Sequence, residues 1–338
     1  MSAPALQALR PLHCIRAGLL PALFVAQLWS GAARAEALDQ SEALAWLQRI
    51  AEAARALNYR GTFVYQHGDQ AETSRITHFV DRTGEYEKLE TLDGPRREII
   101  RNKDEILTFY AESGVVKRER RTAHKLFPAL LPEQLAAITE HYELEKDGQA
   151  RIAGYDAQAL KLKPRDGFRY GHKLWAEVNT GLLLKARMFD EKNEMVEQFH
   201  FTEVTINSLL MREAVKPSFP IPPNDSRRGG RGEAALPADT GWMVRDQPAG
   251  FKKIMEMRRL KQSGEGYVAH LVFSDGLAAV SVFIEPLPAT RHPVEGLSQQ
   301  GAVNIYTRPM SDQLVTVLGE APPVTVRQIA NSVVPKSR

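Results

Sequence analysis

Between Tyr59 and Tyr110 the chain reads YRGTFVYQHGDQAETSRITHFVDRTGEYEKLETLDGPRREIIRNKDEILTFY, a pattern that leaves few folds open. Short runs rich in Thr, Val, Ile, Tyr and Phe alternate with HGDQ, DRTG, LDGP and RNKD. Gly, Asp and Asn tolerate the positive φ of tight turns and Pro fixes φ, so such clusters reverse the chain. Strand-length runs at this spacing predict consecutive antiparallel hairpins over Thr62–Gln66, Thr73–Val80, Glu85–Leu92, Arg97–Arg101 and Glu105–Tyr110. No catalytic motif lies in the stretch, which points towards binding.

The N-terminus has a different character. Arg10 and Arg16 precede an apolar run, Gly18 to Trp29, and Ala33-Arg34-Ala35 has the small-x-small form of a cleavage site. The apolar run is shorter than the roughly 20 residues a membrane span requires. Residues 1–35 are therefore expected to be a cleaved signal peptide, with the mature chain soluble and exported. Cleavage removes Cys14, the one cysteine, so the core alone must hold the exported chain. It also removes Arg10, Arg16 and Arg34, which takes the formal charge from +3 to zero. A general nucleic-acid role loses its electrostatic basis.

Asp39 to Leu57 predicts a helix. Asp39 and Glu42 have capping-box spacing, and Leu47, Ile50, Ala54 and Leu57 fall on one face. After the hairpins, Val115–Arg121 (VVKRERR) is expected as a solvated edge strand. The composition then shifts to Leu126-Phe127-Pro128-Ala129-Leu130-Leu131-Pro132, followed by a short helix over Glu133 to His141. This segment is too apolar for an ordinary exposed loop. Core and cavity lining both fit it, and Phe127, Leu130, Leu131, Leu135 and Ile138 are the candidate cavity-lining residues. From Tyr142 strands resume, with Leu160 and Leu162 alternating with Lys161 and Lys163, strands over Phe168–Val178 and Leu182–Phe189, and a last one over Met195–Ile206. Alternation over so many hairpins predicts a large, curved antiparallel sheet.

Lys216 to Gly241 is dense in Pro, Gly and Ser and lacks periodicity, as a linker does. The remainder, residues 242–334, reads as a smaller α+β unit. Phe251 to Lys261 fits helix or strand, Ser274-Asp275-Gly276 turns a hairpin, and Pro323 to Ser332 is expected to close the domain as a helix. The basic run within Phe251–Lys261 holds Lys252, Lys253, Arg258 and Arg259, and the hairpin turn holds Asp275. An exposed basic run is more often simply solvated.

Enzyme signatures are missing. Gly264-Glu265-Gly266-Tyr267-Val268-Ala269 matches a dinucleotide fingerprint but precedes an expected strand, not a helix. The eight histidines after residue 35 show no metal-ligand spacing, and no cofactor is expected.

Three segments carry a resemblance: WLQRIAEAARALNYRGTFVYQHGDQAETSRITHFVD, EYEKLETLDGPRREIIRN and GYVAHLVFSDGLAAVSVFIEP are similar to the MucB/RseB family. The resemblance implies a LolA-like large domain over residues 36–215, an incomplete antiparallel β-barrel with helices on its concave face that accepts acyl chains, and a small α+β domain over 242–334. It implies a periplasmic negative regulator that binds the periplasmic part of a membrane-spanning anti-sigma factor, with Lys252, Lys253, Arg258, Arg259 and Asp275 as the expected partner-binding residues and the cavity candidates Phe127, Leu130, Leu131, Leu135 and Ile138 as the expected lipid-binding residues. Bound there, such a regulator shields the anti-sigma factor from site-one proteolysis until lipid-like ligands, such as displaced lipopolysaccharide, release it. A carrier of lipid or lipoprotein is the alternative, but a carrier needs only the large domain. Homo-oligomerisation is left open.

Overall fold

The computed structural model describes residues 36–102, 105–120, 131, 135–219, 236–260, 266–287 and 294–336. The expected signal peptide, Phe127, Leu130, Lys261 and most of the expected linker lie outside the described residues.

Two sheets dominate. The first has twelve strands: β1 (Glu36–Ala37), β2 (Tyr59–His67), β3 (Gln70–Asp81), β4 (Gly84–Thr91), β5 (Arg97–Asn102), β6 (Glu105–Tyr110), β7 (Val115–Arg120), β8 (Tyr142–Ile152), β9 (Tyr155–Pro164), β10 (Gly171–Glu177), β11 (Leu183–Phe189) and β12 (Met195–Ile206). Every neighbouring pair is antiparallel, and the spatial order is β1-β8-β9-β10-β11-β12-β2-β3-β4-β5-β6-β7. β2 and β12 meet in the middle and the ends do not pair with each other, so the barrel is incomplete. The five hairpin strands expected between Tyr59 and Tyr110 are all present, and Val115–Arg120 is an edge strand.

Helix α1 (Gln40–Ala56) closes one face. Asp39 caps it, its Oδ1 accepting the Glu42 N–H at 2.7 Å. The reciprocal half of a capping box does not form, because the Glu42 carboxylate pairs with Lys146 on β8 instead. Leu47 and Ile50 on α1 are buried in one core with Leu160, Leu174, Ala186 and Phe199. Those four sheet residues form one cross-strand row, Leu160 opposite Leu174, Leu174 opposite Ala186 and Ala186 opposite Phe199. The apolar stripe of α1 thus lies against one face of the pleat, which alternation along each strand had kept apolar.

The second sheet holds β13 (Leu236–Pro237), β15 (Lys252–Leu260), β16 (Tyr267–Ser274), β17 (Ala279–Pro286), β18 (Gly296–Gln300), β19 (Val303–Met310) and β20 (Gln313–Gly319). Its order is β13-β15-β16-β17-β20-β19-β18, while β14 (Trp242–Val244) pairs with β21 (Val333–Pro335) apart from it. Two α-helices follow α1 among the described residues: α2 (Ala136–His141) beside the large sheet, and α3 (Pro323–Asn331), which turns Val326, Ile329 and Ala330 inward with no exposed surface. They pack on Leu271, Val280, Val282 and Val317 of the sheet. Pro323 occupies the first turn of α3, where its missing N–H costs nothing.

One open reading is decided and one strand boundary shifts. Lys252–Leu260, within the run open between helix and strand, forms β15, because it pairs along its length with β16. The strand expected from Phe168 begins only at Gly171, because Phe168, Arg169 and Tyr170 leave the ladder to contact the small domain.

Candidate functional site

The described residues draw attention to the seam between the two sheets. Arg169, in the loop after β9, is buried to 3% exposure. Its Nη1 donates to Asp275 Oδ2 at 3.0 Å, its Nε and Nη2 donate to Asp166 at 2.9 Å each, and Nη2 also donates to the Ala249 carbonyl at 2.6 Å. The guanidinium also lies 5.8 Å from the Tyr142 ring centre and 5.4 Å from that of Phe251. A planar fork with five donors can meet several acceptors at once, which suits arginine to a buried position between domains.

Asp275 was expected at the partner surface, and the structure corrects that. It is 2% exposed and its side chain faces inward. Oδ2 accepts from Arg169 and from the Tyr142 hydroxyl at 3.3 Å. Oδ1 accepts the N–H groups of Leu277 and Ala278 at 2.8 Å each. An aspartate in a hairpin turn usually caps its own loop, and this one also anchors a residue 106 positions earlier in the chain. Burial, then the Asp275 charge, push the Tyr142 phenol well above its ordinary pKa, so it stays a donor.

More contacts cross the same seam. Asn304 Nδ2 donates to the Tyr170 hydroxyl at 2.9 Å, and the Thr325 hydroxyl donates to the Phe168 carbonyl at 2.7 Å. Gly250 has φ +85°, and a Cβ there would lie 2.2 Å from His141 Nε2. Only glycine allows so close an approach in that backbone conformation. At another point Glu197 on β12 accepts the Tyr65 hydroxyl at 2.6 Å. Burial pushes its pKa up to about 7, the charge of Glu320 in the small domain adds to the rise, and the Tyr65 hydrogen bond opposes it.

The expected basic run lies on β15. Lys252, Arg258 and Arg259 are exposed there, beside exposed Ile254, Leu260 and Tyr267. Lys253 is already paired with Glu256. Burial of the Glu256 carboxylate opposes its ionisation, but hydrogen bonds from Lys253, Thr240 and Lys336 outweigh that and bring its pKa down to about 2. A mixed basic and apolar strand of this kind can take a peptide with acidic and apolar positions.

Of the candidate lipid residues, Leu131, Leu135 and Ile138 are brought together in the α1 core, at 4%, 7% and 0% exposure. Ile138 lies on α2, which ends at His141 and passes directly into Tyr142, so the apolar cluster is continuous with the seam. The Arg169–Asp275 pair itself was missed in the sequence, where Asp275 belongs to the turn-forming Asp275-Gly276 pair and Arg169 follows Asp166-Gly167.

Among the described residues no helix is long and apolar enough to cross a membrane, and no cluster of His, Cys, Asp and Glu could hold a metal ion.

Comparison with known proteins gives these features a family. Residues 42–219 match the model of the MucB/RseB N-terminal domain, and residues 237–334 match that of the MucB/RseB C-terminal domain. The sigma factor AlgU regulatory protein MucB of Pseudomonas aeruginosa is 32% identical over 89% of this chain and 93% of its own length. The sigma-E factor regulatory protein RseB of Escherichia coli is 26% identical over 89% of this chain and 92% of its own. A crystal structure of MucB in complex with the periplasmic part of MucA superposes with a TM-score of 0.71 at 28% identity, covering 87% of this chain and 99% of that one. With both domain models matched in chain order and similarity running along nearly nine-tenths of the sequence, this chain belongs to the MucB/RseB family of sigma factor regulatory proteins.

Proposed function

We propose that this protein is a periplasmic negative regulator that binds the periplasmic part of a membrane-spanning anti-sigma factor and shields it from site-one proteolysis. A lipid-like ligand in the large domain releases it. The observation that carries the reading is the likeness, over 87% of the chain, to a MucB structure solved with the MucA periplasmic part. In this reading residues 1–35 are removed on export, and no catalytic step is involved.

The basic strand β15 is the proposed partner contact, through Lys252, Arg258 and Arg259, while Lys253 steadies Glu256. The proposed acyl-chain site is the apolar layer of Leu131, Leu135 and Ile138 beneath α1. An acyl chain entering there displaces α2. His141 at the end of α2 abuts Gly250, and Tyr142 reaches Asp275, so the displacement is passed to the small domain.

Coupling of this kind is reciprocal: lipid and anti-sigma segment weaken each other by the same factor. A tenfold effect corresponds to about 1.4 kcal/mol of differential binding. Titrating the labelled periplasmic segment with and without saturating lipid measures it. The expected result is weaker segment binding with lipid, and Lys252→Glu with Arg258→Glu lowering segment affinity about tenfold without changing lipid affinity. Equal segment affinity with lipid demonstrably bound would leave a constitutive shield. Recovery of lipoprotein cargo in place of the anti-sigma segment would favour a carrier.

A further inference from the structure

The face of the large sheet away from α1 carries a group of cations that the proposed function does not use. Leu174 points into the α1 core, so its strand neighbours Lys173 and Trp175 occupy the opposite face. The register extends that face across four strands. Lys161 pairs with Lys173, Lys173 with Arg187 and Arg187 with Gln198. On the adjacent rung Trp175 pairs with Lys185, and Lys185 with His200.

Three of these cations converge on one ring. Lys173 Nζ lies 4.9 Å from the Trp175 ring centre, Lys185 Nζ 5.1 Å, and the Arg187 guanidinium carbon 5.8 Å. Trp175 itself is 7% exposed beneath them. Carboxylates answer only part of this charge. Lys173 pairs with Asp147 at 2.7 Å, and Glu145, opposite Lys161, pairs with Lys163. Arg187 Nε donates to the neutral Gln198 amide oxygen at 2.7 Å, and Lys185 has no ion pair among the described residues. The buried His200 Nδ1 has no hydrogen-bond partner there either.

Like charges held this close repel, and burial adds to the cost. Burial lowers the Lys185 pKa, and the charges of Arg187 and Lys173 lower it further. Burial, Lys185 and Arg187 do the same to His200. Nothing in the global charge requires the cluster, since removal of the first 35 residues leaves a formal charge of zero. An external polyanion relieves the repulsion and gains attraction from each cation at once. Lys161, Lys173, Lys185 and Arg187 spread over three adjacent strands, so the complementary anion is itself extended over a surface.

We propose that Lys161, Lys173, Lys185 and Arg187, arrayed around Trp175 on the outer face of the large sheet, dock the protein on the phosphate headgroups of an anionic phospholipid membrane. This surface is separate from β15 and from the apolar layer under α1, and its test needs neither partner. In docking, half-buried side chains lay their stems along the sheet and present their charged ends to the headgroups. The Trp175 ring holds the cation ends in place as a shared platform.

Co-sedimentation of the purified protein with vesicles of phosphatidylglycerol and phosphatidylcholine, against vesicles of phosphatidylcholine alone, tests the proposal. Binding is expected only to the anionic vesicles, falling as salt is raised. Lys185→Glu with Arg187→Glu is expected to weaken it about tenfold or more. Lys185→Gln with Arg187→Gln, which keeps much of the side-chain stems and adds no carboxylate, is expected to weaken it less. Arg82→Glu with Lys192→Glu makes the same net charge change at two exposed turns and is expected to bind like the parent. No binding of the parent to anionic vesicles at low salt would overturn the proposal. So would equal losses in the turn variant, or undiminished binding by both the glutamate and the glutamine variants. Displacement from vesicles by millimolar inorganic phosphate would overturn it in favour of a single-phosphate site.

Discussion

Asp275→Ala is expected to destabilise the protein by about 3–5 kcal/mol, because it strands a buried arginine. The Arg169 guanidinium would lose its ion pair on the small-domain side, in a place where neither partner's side chain has any exposed surface. Asp166 still pairs with Arg169 but is itself 27% exposed, so it offsets only part of the loss and the lower end of the range applies. The same substitution frees the Tyr142 hydroxyl and uncaps the N–H groups of Leu277 and Ala278. Urea unfolding of variant and parent measures the effect. Adding Arg169→Met to Asp275→Ala should recover a good part of the loss, since the stranded charge goes with its partner. A loss below about 1 kcal/mol for Asp275→Ala would mean that Asp166 and the Ala249 carbonyl satisfy Arg169 without the small domain.

Glu197→Gln is expected to stabilise the protein at pH 8 and to change little at pH 4.5. The ordinary carboxyl pKa of 4.5 rises to about 7 in the folded chain, first by burial and then by the charge of Glu320. Below pH 4.5 the group is protonated whether the chain is folded or unfolded. Between pH 4.5 and 7 the unfolded chain releases the proton while the folded chain keeps it, so stability falls as pH rises through this window. Above pH 7 the full penalty applies. The carboxyl is only half-buried and keeps part of its hydration, so the penalty is on the order of 2 kcal/mol. Glutamine keeps an acceptor for the Tyr65 hydroxyl and removes the titration. Denaturant unfolding at pH 4.5, 6 and 8 should therefore show a flatter pH profile for the variant. An unchanged slope would place the titration elsewhere.

The hairpins were legible because strand pairing is local: each run of Thr, Val, Ile and Phe adjoins the turn that reverses it. The inward face of α3 was legible for the same reason, since Val326, Ile329 and Ala330 show their periodicity within one turn. β15 was ambiguous because Ile254, Met257 and Leu260 are spaced as on a helix, and only pairing with β16 decides between the two. β18 (GLSQQ) was not anticipated because it has no β-branched residue and is exposed throughout, held only as an edge against β19. Nothing local marks Arg169 and Asp275 as partners. Each reads as a turn neighbour, and their pairing exists only once two separately folded sheets meet. For that reason Asp275 reads from the sequence as a partner-binding candidate. The cations around Trp175 were visible as wet strand positions, yet their convergence depends on the register of three adjacent strands.

The regulatory reading rests on the protein's covering the segment that a protease would otherwise cut. The rate at which site-one protease cleaves the periplasmic anti-sigma segment, measured with and without one equivalent of this protein, tests that most directly. The account predicts cleavage slowed about tenfold or more at concentrations well above the dissociation constant, with the rate restored by saturating lipid. Unchanged cleavage of a segment shown to be bound would contradict it.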